Sequence, residues 1–294
     1  MDWLFEFPFV IIPDTGTMDL AVRGFAVDNA AFFDAVKSAL TGFVGGIYWT
    51  LAHIPWFLLV ALVFVLGWKS RKSIKNGVLY GALLCLIGMV GLWDLMNMTL
   101  SIVLAGVIIA LLIGFPVGVL ISGSPRANNI LRPVLDLMQT MPVFVYLIPA
   151  VLFFGLGSAP AVIATVIYAM VPVIRLTSLG IRQVDKEVVE AAKAFGSTKT
   201  QALIKVQIPQ ALPTIMTGVN QTMMMAMSMV VTCSLIGARG LGNEVLISVN
   251  RIEIGRGLLA GISVVIMAVL LDRLTQGWFS KSDDKGVKGD RNNE

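Results

Sequence analysis

Charge is what this sequence has least of. Only 14% of its 294 residues are Asp, Glu, Lys or Arg, 56% are hydrophobic, and the mean hydropathy is +0.83. A water-soluble domain cannot cover itself with so little charge, whereas a bundle of lipid-facing helices must. Cysteine is nearly absent as well. Cys85 and Cys233 both fall in apolar runs, which excludes a disulfide framework and a cysteine-rich metal site. The single histidine, His53, has no partner at ligand spacing and reads as an interfacial residue. No phosphate-cradling loop is visible. Gly67-Trp68-Lys69-Ser70 lacks the spaced glycines of one, and the glycine-rich Gly237–Gly242 follows an apolar run rather than a strand. Neither a Ser-His-Asp set nor a carboxylate pair appears, so no catalytic residue and no cofactor is expected on this chain. The apolar runs also hold no aromatic box for a quaternary ammonium. The net charge of +4 comes from basic residues at segment ends, a pattern of membrane topology and not of nucleic-acid binding.

What is present is a series of seven apolar segments, each read as a membrane span: 50–68, 77–93, 98–121, 131–154, 159–181, 212–236 and 258–279. The fold class is therefore an all-α integral membrane protein with about seven transmembrane helices. Pro133, Pro142 and Pro149 interrupt the fourth segment, and Pro160 and Pro172 lie in the fifth. Residues 1–49 form an extracytoplasmic tail. It opens with Trp3, Phe5, Phe7 and Phe9 but no basic start, which argues against a cleaved signal peptide. Over 30–44, Phe32, Phe33, Val36, Leu40, Phe43 and Val44 recur at helical spacing, predicting an amphipathic helix in the interface plane or docked on a partner. Residues 50–279 are the membrane domain, and the polar tail 280–294 is expected to be disordered.

Lys and Arg set the orientation. Threading seven spans alternately puts 17 of the 22 basic residues, in 69–76, 122–133, 175–209 and 273–294, on one side. The positive-inside rule makes that side cytoplasmic, with the N-terminus outside and the C-terminus inside.

One polar island breaks the apolar pattern, at 185–209. Asp185 can cap a helix, Glu187 sits in its first turn, and Gly196 can end it in the left-handed conformation. Ser197 or Thr198 can cap a second short helix through Lys205, which Pro209 is expected to stop. The reading is a two-helix knob outside the bilayer.

Glu190-Ala191-Ala192, Gly196, and then Val206-Gln207-Ile208-Pro209 resemble the EAA loop of ABC importer permeases, with conservative changes at Val206 and Ile208. The stretches 132–157, 172–184 and 234–246 are similar to permeases of the proline/glycine betaine uptake subgroup. The resemblance implies a type I ABC importer fold whose loop is a cytoplasmic coupling helix, with Glu190, Ala191, Ala192, Gly196 and Pro209 meeting the ATPase. It implies a multi-pass protein of a prokaryotic plasma membrane, working as a homodimer within membrane lipid. Its partners would be cytoplasmic ABC ATPases, which hold ATP and Mg, and an extracytoplasmic substrate-binding protein. No binding-protein domain is expected within this chain. The solute would be glycine betaine or a related compatible solute.

Two places could line a path. Gln139, Thr140, Met141 and Pro142 sit where a proline breaks the fourth span, either exposing backbone polar groups or simply packing as a kink. Asn220, Gln221 and Met224 lie in a methionine-rich sixth span that is either a repacking gate or packing filler. The outer loop 237–256, with its mixed charges, could dock a soluble partner. The competing functions are a permease for another small solute such as an amino acid, a secondary transporter driven by an ion gradient, and a membrane scaffold. Asp136 and Asp272 stand toward segment ends, which disfavours the second. A scaffold leaves the EAA spacing unexplained.

Overall fold

Pro55 decides where the first hairpin of the bundle begins. The computed structural model describes the backbone of residues 15–71 and 73–290 and the side chains of 16–69 and 73–276. The aromatic patch Trp3–Phe9 lies outside these residues. All elements among them are helices. A helix α1 (Thr15–Asp28) is followed by α2 (Ala30–His53), which ends before Pro55; α3 (Trp56–Arg71) and α4 (Ile74–Met89) then form a hairpin. The first span therefore starts at Trp56 and not at Thr50. Trp93 likewise opens the next helix instead of ending α4, because the chain turns at Gly91, whose φ is +79°. The hairpin is followed by α5 (Trp93–Ser122), α6 (Pro125–Thr140), α7 (Val143–Phe154) and α8 (Ser158–Gln183).

Helices α5 and α8 form the spine. They run parallel: Gly106 faces Thr165, Gly114 faces Val173 and Gly118 faces Thr177. With Ala110, which is fully buried, these residues make a four-residue repeat of small side chains that lets the backbones approach. After the polar island comes α11 (Ile208–Ser234), antiparallel to α8: Gly180 meets Ala211 and Thr214, and Gly218 meets Val173 and Leu176. The chain closes with α12 (Leu241–Arg251) and α13 (Ile254–Asp290), the latter packed on α3, α4 and α11. Backbone helix thus continues past Ser280, where composition had suggested a disordered tail.

Length and apolarity alone select four helices as spans: Ala30–His53, Trp93–Ser122, Ser158–Gln183 and Ile254–Gln276. The pair α6–α7 adds a fifth, bent by 91°. Helices α3 and α4 have 16 residues each, about 24 Å of rise, and are shorter than the expected spans. Pro133, Pro149, Pro116 and Pro172 all sit inside continuous helices, so Pro142 alone breaks the fourth segment.

Helix α2 is long and apolar enough to cross a membrane, yet both its ends meet one end of the bundle, while Leu40, Val44 and Ile47 pack against α5 and α8. Phe33 stacks on Phe153, and a cavity joins Thr41 to Gly157 and Ser158. The Tyr48 hydroxyl donates to Asp94 at the start of α5. The end of α7, the start of α8 and the start of α5 share one face of the bundle, so both ends of α2 remain on it. The helix runs on to His53 and has no boundary at 49.

Candidate functional site

At the opposite face, α8 gives way to a knob of two short helices. Helix α9 (Lys186–Ala194) starts where the Asp185 carboxylate accepts the Glu187 N–H at 2.9 Å. It ends in a Schellman motif. The Ser197 N–H donates to Ala192 O at 3.1 Å and the Gly196 N–H to Lys193 O at 2.9 Å, with Gly196 at φ +84°. No atom lies within 4 Å of a Cβ placed on Gly196, so only the backbone conformation demands glycine there. Helix α10 (Lys199–Ala202) is closed by a reciprocal capping box: Thr198 N–H to Gln201 Oε1 at 2.9 Å, and Gln201 N–H to Thr198 Oγ1 at 3.3 Å.

The sequence reading of Pro209 needs correction. The chain does not stop there. A π-turn over Leu203–Gln207 carries α10 directly into α11, and Pro209 occupies the first turn of that helix, where a missing N–H is tolerated. The knob is therefore continuous in helical backbone with α11, which traverses the bundle. Its base is held by Ile181, Ala211 and Ile215 packed with Val184, Leu203 and Ile208.

No residue of α9 is buried. Glu190 and Ala191 are exposed, Ala192 is half-buried, and Pro209 is exposed. Phe195, at the bend, is 92% exposed. An exposed aromatic ring thus stands in the same knob as an exposed acidic side chain and small alanines.

The path candidates divide. The break comes at Pro142 as expected: Gln139, Thr140 and Pro142 are exposed at the 91° bend, and Thr140 Oγ1 returns to Asp136 O. Met141 turns inward to the apolar cluster of Tyr146, Met229 and Cys233. Asn220 donates to Asp272 Oδ1 at 2.9 Å and so ties α11 to α13. Met227 and Met229 are buried, and Met223 and Met225 pack on the core, so these four fill space. Met224 stands apart. It is 53% exposed and, with Thr217, Gln221 and Ser228, forms a stripe along α11 at spacings of four, three and four. Thr217 and Ser228 were missed in the sequence, though that periodicity would have found them.

The mixed charges of the outer loop largely satisfy one another. Arg256 reaches Glu244 at 2.6 Å and Glu253 at 3.1 Å. Among the described residues no cluster of His, Cys, Asp or Glu could hold a metal ion.

Residues 106–281 match the family model described as the binding-protein-dependent transport system inner membrane component. The chain is 46% identical to the glycine betaine/carnitine transport permease protein GbuB of Listeria monocytogenes, over 92% of this chain and 97% of that protein. It is 45% identical to the glycine betaine transport system permease protein OpuAB of Bacillus subtilis, over 94% and 97%. It is 41% identical to the glycine betaine/proline betaine transport system permease protein ProW of Escherichia coli, over 86% and 72%. Among solved structures, a chain of the inward-facing MetNI methionine ABC transporter superposes with a TM-score of 0.56 at 21% identity, covering 63% of this chain and 93% of that one.

Proposed function

The chain belongs to the family of binding-protein-dependent transport system inner membrane components, and on that premise we propose how it works. It is the permease subunit of an ATP-driven importer of glycine betaine or related compatible solutes, a multi-pass protein of the cytoplasmic membrane. It is the translocating component and not the hydrolysing one. ATP and Mg are handled by a partner ATPase, and the solute arrives on an extracytoplasmic binding protein.

The observation that carries the mechanism is the continuity of the knob with α11. An ATPase moving against Phe195, Glu190 and the alanines would push on α9, and the π-turn would pass that displacement to α11 as a unit. Helix α11 bears the Thr217–Gln221–Met224–Ser228 stripe, and a polar stripe of this kind suits a water-lined path better than lipid. The path would form where two copies of the chain bring these stripes together, with the exposed bend at Gln139–Pro142 as a second lining element. Orientation follows from the charge count, which puts the knob in the cytoplasm and α2 and α12 outside.

The test uses Gly196→Val and, separately, Glu190→Lys. The first forces a β-branched residue to φ +84°, at a cost of about 1–2 kcal/mol to the bend. The second reverses a charge on the docking face. Both variants should reach the membrane in normal amount, lose solute uptake, and lose stimulation of ATP hydrolysis by the loaded binding protein. Wild-type uptake and stimulation in both would remove the coupling role from this knob.

A further inference from the structure

Between α6 and α8, at the end of the bundle that carries the knob, lies a cavity of about 570 Å3. Arg132, Arg175 and Arg182 line it together with Asn128 and Ser178, and no acidic or aromatic side chain does. Asp136 neutralises one arginine only, through its ion pair with Arg175. Three guanidinium groups thus line the cavity, and the one carboxylate paired with them stands outside the lining. Buried donors point the same way. Arg175 Nε and Ser178 Oγ are both enclosed without a hydrogen-bond partner, and Ser178 is 3% exposed. The buried hydroxyls of Thr177 and Thr222 also lack a partner, but of the three that of Ser178 alone lines the cavity. An unpaired buried donor is costly, and here two of them stand beside an uncompensated positive charge.

We propose that this cavity binds the phosphate group of an anionic ligand, with Arg132 and Arg182 supplying the charge, Arg175 Nε and Asn128 donating, and the Ser178 hydroxyl completing the set. Guanidinium forks match phosphate oxygens in geometry and charge. A zwitterionic solute is a poor match, because nothing in the lining would receive its cationic end. The phosphate can come from an anionic phospholipid of the inner leaflet or from a soluble phosphate. Leu179 in the lining is an exposed apolar side chain on which an acyl chain could lie. The inference does not depend on which solute the protein carries.

The experiment compares the full-length wild-type chain with an Arg132→Gln/Arg182→Gln double variant in micelles of a phosphate-free nonionic detergent. Arg175 is left in place because it holds α6 to α8. Native mass spectrometry counts bound phosphatidylglycerol as that lipid is titrated in, and thermal unfolding is followed against inorganic phosphate in a parallel series. Wild type should bind one phosphatidylglycerol per chain about 30-fold more tightly than the double variant, roughly fivefold per arginine. Loss of a phosphate-dependent stabilisation in the double variant, with no difference toward phosphatidylglycerol, would support the site and assign a soluble ligand. Should the double variant not accumulate, Arg182→Gln and Ser178→Ala are titrated singly and must each weaken binding. Equal affinity of wild type and variants for both probes overturns the proposal.

Discussion

At the scale of single residues, Thr99 is the hinge between two distant parts of the chain. Its hydroxyl donates to Leu95 O at 2.9 Å and accepts the Leu241 N–H at 2.8 Å. Leu241 is fully buried, so no water can replace that acceptor. Thr99→Val keeps the shape and removes the oxygen, leaving the N–H orphaned at a cost of about 1–3 kcal/mol. Thermal unfolding in detergent should therefore drop for Thr99→Val and stay near wild type for Thr99→Ser. Equal stability of the two variants would mean that the outer loop is not held through this bond. Sequence alone gave no reason to choose Thr99, since its partner lies 142 positions away. Gly196 is the opposite case. Its need for a positive φ was legible because a helix stop is a local matter, decided by a few adjacent dihedrals.

Among the elements, the seam of α5 and α8 makes the sharpest demand on sequence. A Cβ on Gly114 would meet Val173 Cγ1 at 2.5 Å, and one on Gly118 would meet Ile174 O at 2.8 Å. Backbone oxygen cannot give way as a side chain can. Gly118→Leu should cost about 3 kcal/mol or more by overpacking, and the chain should fail to accumulate in the membrane. Leu112→Phe, on an exposed position of the same helix, should leave accumulation unchanged. Immunoblots of membrane fractions distinguish the two, and normal accumulation of Gly118→Leu would show that the spine is looser than this packing. Element boundaries were only partly legible. The break at Pro142 was, because proline removes a donor and clashes with the preceding turn. That Pro133, Pro149 and Pro172 would be absorbed, and that Pro209 would start a helix instead of ending one, was not. Those outcomes depend on how neighbouring helices and a π-turn satisfy the freed carbonyls.

For the whole molecule, the polar stripe of α11 and the apolar flank of α13 make different predictions. Gln221 and Val265 are both exposed in a single chain. If two copies close a path along α11, Gln221→Cys should react with a water-soluble thiol reagent and Val265→Cys, facing lipid, should not. Both are tested in a background lacking Cys85 and Cys233. In the same background a cysteine at Thr198 should react only with reagents that reach the cytoplasm, and one at Asn243 should react from outside. Native mass of the solubilised complex should contain two permease chains and two ATPases. A complex with one permease chain, or labelling of position 198 from outside intact cells, would overturn the arrangement.

The sequence by itself determined the membrane class, the helical fold, the uneven placement of basic residues along it, and the capping chemistry of the knob. These rest on composition, on the distribution of basic residues and on interactions within a few residues of one another, which a linear reading can add up. Tertiary structure decided which polar residues serve packing and which remain exposed. It gave Asn220 to Asp272, buried four of the five clustered methionines wholly or in part, and left Gln221 and Met224 outside. It packed Leu40, Val44 and Ile47 of α2 against α5 and α8. It also gathered Arg132, Arg175 and Arg182 around one cavity from two helices. The physical reason is common to all of these. Whether a polar group in a membrane helix is satisfied depends on which neighbour faces it, and that neighbour is chosen by packing across long sequence separations.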